Sequence, residues 1–401
     1  MLNPYRGILA RPGALQFSAA GLIARLPISM VGIGIVLMVS ALYGSYGLAG
    51  RVSAVFVVTQ AVCSPQLAKL IDRDGQARVM RPALAVACVG LAALIVAAVL
   101  HAPEYVLYAT AVVGGSTIGS MGALVRARWA RTVSTPGELH TAYALESALD
   151  ELTFVAGPVI ATLLATGVSA WSALVAPLVA ALVGGYWLLS QTATEPPPSG
   201  RHDDATAAGG VMSPAMLVIM GIFLACGAVF GGADVSVVAF TEEAGAKQLA
   251  GLVLGAMALG SLISGLAYGA RHWASPLWLR FILGTALLTA GTAAFLLAHS
   301  PAVLAAIAFV AGFAIAPTLI NGNGLVQSLV PPRRLTEGFT WLGAAVGVGV
   351  SLGASVSGTV IDAVGARGGF VVIALAAALA LVIAVAGFPT LRRRAGRELT
   401  V

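Results

Sequence analysis

Twelve long apolar runs divide the chain of 401 residues, and they constrain its fold more than any other feature. A bilayer core requires about 20 apolar residues per helix. On that rule the runs predict membrane-spanning helices over residues 17–38, 48–70, 82–100, 104–126, 142–166, 170–190, 213–240, 248–270, 277–297, 301–327, 338–362 and 369–390. The runs are continuous and lack a ten-residue alternation of polar and apolar positions, which argues against a β-barrel.

The composition excludes a water-soluble protein, because 59% of the residues are hydrophobic and only 9% are charged. A soluble domain is about 25% charged. The net charge of +6 does not indicate a nucleic-acid partner, since the basic residues stand in short clusters between the apolar runs. Cys63, Cys88 and Cys226 lie inside apolar segments, where they pack as small residues. We therefore expect an integral membrane protein without cofactor, metal or disulfide.

A polar stretch over residues 190–210, rich in Pro, Ser, Gly and Asp, separates six runs from six runs. We predict an N-terminal six-helix bundle over residues 1–190, a cytoplasmic linker over 191–211, and a C-terminal six-helix bundle with a basic tail over 212–401. The halves resemble each other: "GLAGRV" at 47–52 and "QLAGLV" at 248–253 open the second and eighth runs. Such a duplication places a cavity between the two bundles.

The basic residues predict the orientation. With an even number of spans both termini lie on one side, and that side collects nearly all of the arginines in the loops. The termini are therefore predicted to be cytoplasmic, in a multi-pass protein of the plasma membrane. The first run continues past Arg25 and Pro27 without a cleavage site, so we expect a transmembrane helix there and no signal peptide.

Three carboxylates, Glu146, Asp150 and Glu151, lie inside the fifth run. An ionised carboxylate near the middle of a membrane helix raises the free energy of insertion by roughly 2.5–3.5 kcal/mol. Each of the three acids is therefore expected to have a structural or functional role. Glu146 and Asp150 are four residues apart and share a helix face, whereas Glu151 points about 100° away. Arg25 in the first run and Asp150 both lie about 12 Å from the cytoplasmic end of their helices. Equal depth permits an ion pair between Arg25 and a carboxylate.

Three roles are open to these acids. One acid can neutralise Arg25 as a structural pair, another can carry a coupling proton, and a third can bind a cationic substrate. Three acids exceed the one base nearby, which favours at least one functional titrating group. We predict protonation at Asp150 with Glu146 as its partner, and a packing role or a pairing with Arg25 for Glu151.

Four further polar residues are candidates for the cavity. Asp234 lies in a Gly-rich part of the seventh run where the backbone can unwind, and it either binds substrate or marks a helix end. Arg126 ends the fourth run and serves as a proton-relay base or as a cytoplasmic anchor. Asn321 and Asn323 follow Pro317, which with nearby glycines predicts a bent or loosened tenth helix. The two amides then line the cavity or join helices.

The segment "AKLIDRDGQAR", residues 68–78, follows the second run and resembles the loop motif of the major facilitator superfamily, Gly-x-x-x-Asp-Arg-x-Gly with basic residues after it. Ala68 and Gln76 depart from that motif. The resemblance implies a loop that clamps the two bundles and biases which side is open; the alternative is a solvated turn with charges that set topology. The matching residues are Asp72, Arg73, Gly75 and Arg78.

A second resemblance concerns Gly157 and Pro158 in the fifth run, which are similar to the Gly-Pro core of a helix found in proton-coupled antiporters of the same superfamily. A simple kink that permits close packing is the alternative. The resemblance covers the whole chain and implies twelve helices in two pseudo-symmetric bundles that work by alternating access. The pattern is nearest to bacterial exporters of drugs and small solutes.

These observations predict a secondary transporter that exports a small organic compound or drug in exchange for protons. The alternative is proton-coupled uptake or facilitated transport of a sugar, a nucleoside or another metabolite. The sequence contains no Gly-x-x-x-x-Gly-Lys-Ser/Thr motif, so direct drive by ATP is excluded. The five histidines form no catalytic arrangement at membrane depth, which argues against an enzyme. We expect a monomer whose partners are a small-molecule substrate, protons and the lipid bilayer.

Overall fold

Helices make up all of the regular structure in the computed structural model, which describes residues 3–200, 211–246, 249–271 and 273–395. Twelve helices are long and apolar enough to cross a membrane, which confirms the predicted number. Spans 1 to 12 run over Ala14–Tyr43, Leu48–Asp74, Gln76–Val99, Glu104–Thr132, Pro136–Gly167, Ser172–Ser190, Pro214–Glu243, Ala250–Gly269, Leu277–Leu297, Pro301–Leu329, Pro332–Val364 and Ala366–Ala386. A short helix, Asn3–Leu9, precedes span 1, and another, Phe388–Ala395, follows span 12.

Consecutive spans alternate in direction. Span 1 therefore begins on the side of the bundle where span 12 ends, and we call this the terminal side and the opposite side the far side. Spans 1 to 6 pack mainly against one another, and so do spans 7 to 12. The two halves meet where span 2 packs against span 11 and where span 5 packs against spans 8 and 10.

Polar residues extend several spans beyond their apolar runs. Span 5 begins at Pro136 rather than at 142, because the hydroxyl of Thr135 accepts a 3.2 Å hydrogen bond from the backbone N–H of Glu138 and Pro136 occupies the first helical position. Span 4 consists of the helices Glu104–Thr117 and Met121–Thr132, and it likewise ends at Thr132 rather than at 126. Arg126, predicted at a helix end, therefore lies about two turns inside its helix.

Span 10 is interrupted just before Pro317. It consists of the helices Pro301–Gly312 and Ile315–Leu329, with the break at residues 313–314. Residue 313 lies four positions before Pro317, where a proline ring clashes with the backbone carbonyl, so the break agrees with the predicted effect of Pro317. The helix continues through the glycines that follow. Pro317 is the third residue of that helix, where a backbone N–H has no intrahelical acceptor, and its missing N–H therefore costs no helical hydrogen bond.

Span 7 is continuous from Pro214 to Glu243, so the unwinding expected near Asp234 does not occur. Its glycines serve close packing instead. A Cβ atom at Gly227 or Gly231 would collide with the backbone carbonyl oxygens of Val346 or Val350 on span 11. Small residues at such seams let membrane helices approach each other closely.

The first part of the predicted linker is held against the N-terminal half. The carboxylate of Glu195 accepts a 3.0 Å hydrogen bond from the backbone N–H of Ala77, at the start of span 3. The backbone N–H of Ser199 donates to the carbonyl oxygen of Asp72 at 2.9 Å. Residues 201–210 of the predicted linker lie outside the described residues.

Candidate functional site

A network of four charged side chains joins spans 1, 4 and 5 inside the N-terminal half. Arg25 on span 1 reaches two carboxylates of span 5: its Nη2 lies 2.5 Å from Oε2 of Glu146, and its Nη1 lies 2.7 Å from Oδ1 of Asp150. Glu146 and Asp150 share a helix face, as their spacing predicted, and that face is turned toward Arg25. Glu151 is not a partner of Arg25 among the ion pairs of the described residues.

Glu146 is completely buried, and hydrogen-bond donors surround its carboxylate. Its Oε1 accepts hydrogen bonds from the hydroxyl of Ser18 at 2.8 Å and from Nε1 of Trp129 at 2.7 Å. Its Oε2 accepts from Arg25. The ring of Phe17 packs edge-on against Trp129 at 4.7 Å and closes the pocket on one side. The Glu146 side chain is thereby fixed in position by three hydrogen bonds inside the bundle.

Asp150 bridges two guanidinium groups. In addition to Arg25, it binds Arg126 of span 4, whose Nη2 lies 2.5 Å from Oδ2 of Asp150. The Asp150 side chain is 28% exposed, whereas the side chains of Arg25 and Arg126 are 4% and 12% exposed. Two bases and two acids cancel one another, so the network can lie at membrane depth without a net charge.

Glu151 projects to the other side of span 5, toward the C-terminal half. Its Oε2 accepts a 3.1 Å hydrogen bond from the hydroxyl of Ser261 on span 8. In the part of the chain that the structure describes, no basic side chain lies within ion-pair distance of Glu151. Glu151 is therefore the acid of span 5 that contacts the opposite half and has a hydroxyl rather than a cation as its partner.

Asp234 and the two asparagines are not gathered around this network. Asp234 is exposed on span 7, and no ion pair with it occurs among the described residues. Asn321 is completely buried and lies 2.9 Å from the hydroxyl of Tyr268 on span 8. Asn323 donates to the carbonyl oxygen of Leu319 in its own helix at 2.9 Å. Asn321 thus joins helices, which was one of its two predicted roles.

The loop after span 2 connects the halves on the terminal side. The carboxylate of Asp72 accepts hydrogen bonds from the backbone N–H groups of Thr336 at 3.3 Å and Glu337 at 2.8 Å. These N–H groups belong to the first turn of a helix, where they have no intrahelical acceptor and where the helix dipole favours an anion. Lys69 adds an ion pair with Glu337 at 3.7 Å. Asp72 therefore clamps span 2 to span 11.

The other motif residues lie at the end of span 2 and at the start of span 3. Gly75 has a φ of 102°, a conformation that favours glycine, so the tight turn predicted there is present. Arg73 lies 2.8 Å from Asp74, its neighbour in sequence. Arg78 is exposed.

A second contact on the terminal side has no counterpart in that motif. Three side chains of the N-terminal half approach carbonyl oxygens at the end of span 8: the hydroxyl of Tyr5 lies 2.6 Å from Leu266, Nε2 of His140 lies 3.2 Å from Tyr268, and the hydroxyl of Thr141 lies 2.8 Å from Gly269. The last four carbonyls of a helix lack intrahelical donors. We call this group of contacts the carbonyl clamp. Together with Asp72 it closes the terminal side.

The Major Facilitator Superfamily profile matches residues 17–284 and 275–400, which is almost the entire chain. The chain belongs to the Major Facilitator Superfamily. It is therefore a membrane transporter and not an enzyme. No curated protein sequence matches it at a significant level.

Solved structures similar to this superfamily member include the human organic anion transporter MFSD10 (TETRAN), with a TM-score of 0.69, 15% identity, and coverage of 92% of this chain and 98% of that one. A bacterial homologue of the iron transporter ferroportin, in an outward-facing state, has a TM-score of 0.73 and 16% identity, with coverage of 93% and 98%. At these identities the likeness establishes the fold.

Sequence reasoning missed several residues that this transporter uses. Arg128 is completely buried; it donates to the side chain of Gln76 at 2.8 Å and to the carbonyl oxygen of Gln191 at 2.7 Å. Trp129 and Ser18, the donors to Glu146, were also missed. Their spacing offered a signal, since Ser18 precedes Arg25 by seven residues and Trp129 follows Arg126 by three, which places each pair on one helix face.

Proposed function

We propose that the protein is a proton-coupled transporter that exports a small organic compound by alternating access, and that Glu151 carries the coupling proton. The observation behind this proposal is the contact of Glu151 with Ser261 across the two halves. A proton on Glu151 changes the charge at a point where the halves must separate and rejoin. The same proton breaks no ion pair, because the partner is a neutral hydroxyl.

Asp150, which the sequence predicted as the proton carrier, is less suited to that role than Glu151. Its two oxygens bind Arg25 and Arg126, so protonation would leave two guanidinium groups with Glu146 as their only described acid. An uncompensated charge in the interior costs several kcal/mol. We assign Arg25, Arg126, Glu146 and Asp150 to the framework that holds spans 1, 4 and 5 and fixes the position of Glu151.

The side that is closed identifies the conformation in the transport cycle. The hydrogen bonds and ion pairs that join the halves among the described residues lie near the terminal side, except for the deeper Glu151–Ser261 contact. The arginine-rich loops favour a cytoplasmic location for that side, in the plasma membrane. On this assignment the conformation is closed toward the cytoplasm, which is the state in which the exporter we propose would release its substrate.

The exposed charges favour a substrate with a cationic group. Asp150 is partly exposed and Asp234 is exposed, whereas Arg25 and Arg126 are largely covered. We place Glu151 and Asp234 on the wall of the substrate space between the halves, and Asp150 in the framework behind it. A cation and a proton would then compete for the same carboxylates, which couples their movements in opposite directions.

Uptake or facilitated transport of a sugar, nucleoside or other metabolite is the second candidate, and the environment of Gly157 favours it. A Cβ atom at Gly157 would collide with the hydroxyl of Ser29 on span 1, so this glycine has a packing role that requires no antiport. Ser29 also donates to the carbonyl oxygen of Thr153 at 3.0 Å. The Gly157–Pro158 pair therefore gives less support to export than its resemblance implied.

The experiment is substrate-dependent proton movement in proteoliposomes with a pH-sensitive dye inside. Cationic drugs, neutral drugs and sugars are added to wild type, Glu151→Gln, Asp150→Asn and the control Glu104→Gln, which alters an exposed pair on the far side. We expect Glu151→Gln to abolish the proton signal while the protein remains monodisperse, and Glu104→Gln to retain it. A normal signal in Glu151→Gln would overturn the assignment, and substrate movement without any proton signal in wild type would establish facilitated transport.

A further inference from the structure

Arg280, in the first turn of span 9, is a cation without an acidic partner among the described residues. Its Nη1 makes only a long hydrogen bond, 3.4 Å, to the hydroxyl of Tyr268, and its Nε is buried without a partner. A buried donor left unpaired costs free energy. The site therefore calls for an anion that the protein itself does not supply.

The surroundings of Arg280 are typical of a membrane interface. Its guanidinium lies 6.0 Å from the ring centre of Trp273, which is 39% exposed and donates through Nε1 to the carbonyl oxygen of Tyr268 at 3.0 Å. Tryptophan is enriched where the headgroups of a bilayer meet its hydrocarbon core. Arg271, at the end of span 8, is also exposed and adds positive charge close to Trp273 in sequence.

A lipid-facing stripe runs along span 9 next to Arg280, which is half-buried at its end. Leu283 and Leu287 follow it at spacings of three and seven residues, so the three side chains share a helix face. Both leucines are exposed, at 53% and 64%. From Arg280 to Leu287 the stripe is about 10 Å long, which suits the upper part of an acyl chain lying against the helix. This face of span 9 is therefore an apolar surface with a cation at one end.

We propose that this site binds an anionic phospholipid, with the headgroup phosphate on Arg280 and an acyl chain along Leu283 and Leu287. Arg280 supplies a planar fork of donors suited to phosphate oxygens, and Trp273 packs beside the headgroup. The anionic class follows from the charge on this side of the C-terminal half. Glu337 is the one acid described there, and it is buried and paired with Lys69. The apolar stripe favours a lipid over free phosphate.

The test is binding of phosphatidylglycerol and phosphatidylcholine to the delipidated full chain, measured by native mass spectrometry and by thermal stabilisation. Wild type is compared with Arg280→Gln, with Arg280→Lys, which keeps the charge, and with the matched control Arg392→Gln. Arg392 is exposed on the same side, where it lies over Phe388 in the helix after span 12. Inorganic phosphate in place of lipid separates a lipid site from a phosphate site.

We expect wild type to prefer phosphatidylglycerol, and Arg280→Gln to bind it about fivefold more weakly, the effect of one basic residue near an anionic lipid surface. Arg280→Lys should retain most of the binding, and Arg392→Gln should stay within about twofold of wild type if the site is specific. Equal binding of the two lipids, or an equal loss in Arg280→Gln and Arg392→Gln, would overturn the proposal. Stabilisation by inorganic phosphate that matches that of the lipid would also overturn it.

Discussion

The hydroxyl of Tyr5 donates a 2.6 Å hydrogen bond to the carbonyl oxygen of Leu266, and this bond connects the short helix before span 1 with the end of span 8 in the opposite half. Tyr5 is buried. An ion pair of 2.5 Å between Arg11 and Glu138 ties the same N-terminal segment to span 5. The residues before span 1 therefore take part in closing the terminal side.

Tyr5→Phe should weaken closure of the terminal side, because the hydrogen bond to Leu266 across the two halves is lost while the ring is kept, and the Leu266 carbonyl retains only the backbone N–H of Ala270. One such hydrogen bond contributes about 0.5–1.5 kcal/mol, which lowers the ratio of closed to open molecules by about two- to twelvefold. Spin labels at Arg78 and Arg271, both exposed, would report the distance between the halves. Tyr105→Phe, at an exposed far-side tyrosine, is the control, and an unchanged distance distribution in Tyr5→Phe would contradict this role.

The Tyr5 bond also has a defined dependence on pH. Burial raises the pKa of the Tyr5 hydroxyl to about 12 from its ordinary value of 10. The folded protein thus holds this proton more tightly than the unfolded chain. The contribution of the bond is fully present below about pH 10 and is lost as the pH rises through about 12. Between pH 5 and 9, label distances should differ between wild type and Tyr5→Phe by a constant amount.

Gly269→Val should keep the terminal side open. A Cβ atom at Gly269 would collide with the side chain of Ala144 and approach the hydroxyl of Tyr5, so a larger residue acts as a wedge between spans 5 and 8. Gly251→Val is the control on the same span, since a Cβ atom at Gly251 meets no atom within 4 Å. The same label distances should lengthen in most Gly269→Val molecules and remain unchanged in Gly251→Val. Wild-type distances in Gly269→Val would show that closure does not depend on this close contact.

Arg25→Met should destabilise the protein strongly, because it leaves the buried Glu146 and the partly exposed Asp150 with Arg126 as their only described base. Breaking a buried ion pair in this way costs about 3–5 kcal/mol. The midpoint of unfolding in detergent would measure the loss. Arg51→Met, which breaks an exposed pair with Glu104, should change the midpoint little. The double variant Arg25→Met with Glu146→Met should recover part of the loss, and no recovery would mean that Arg25 acts chiefly through Asp150.

The bilayer explains how much of the fold was predictable. Each span must supply a long apolar run, so hydropathy alone predicted twelve helices. The shared depth of Arg25 and the acids of span 5 followed from counting residues. The rotation of each helix about its axis could not be predicted by counting residues. That rotation determines that Asp150 and Glu146 contact Arg25 and that Glu151 does not.

Two other features could not be predicted from the sequence, for physical reasons. Arg126 was placed at a helix end because the apolar run stops there, although the helix continues to Thr132 and carries the arginine inside. The carbonyl clamp uses backbone oxygens of span 8 as acceptors, and every residue has such an oxygen. A contact of that kind leaves no pattern in one sequence, so Tyr5 and Thr141 could be recognised only once spans 5 and 8 were side by side.

The charge network also has a consequence for biosynthesis. Span 1 leaves the ribosome with Arg25 long before its partner Glu146 exists, since the two residues are 121 positions apart. At synthesis rates of about 5–20 residues per second the arginine waits roughly 6–24 s for a counter-charge. During that time the unpaired arginine makes insertion of span 1 less favourable by roughly 2.5–3.5 kcal/mol. All four charges belong to the N-terminal half, so the network becomes neutral before the C-terminal half is translated.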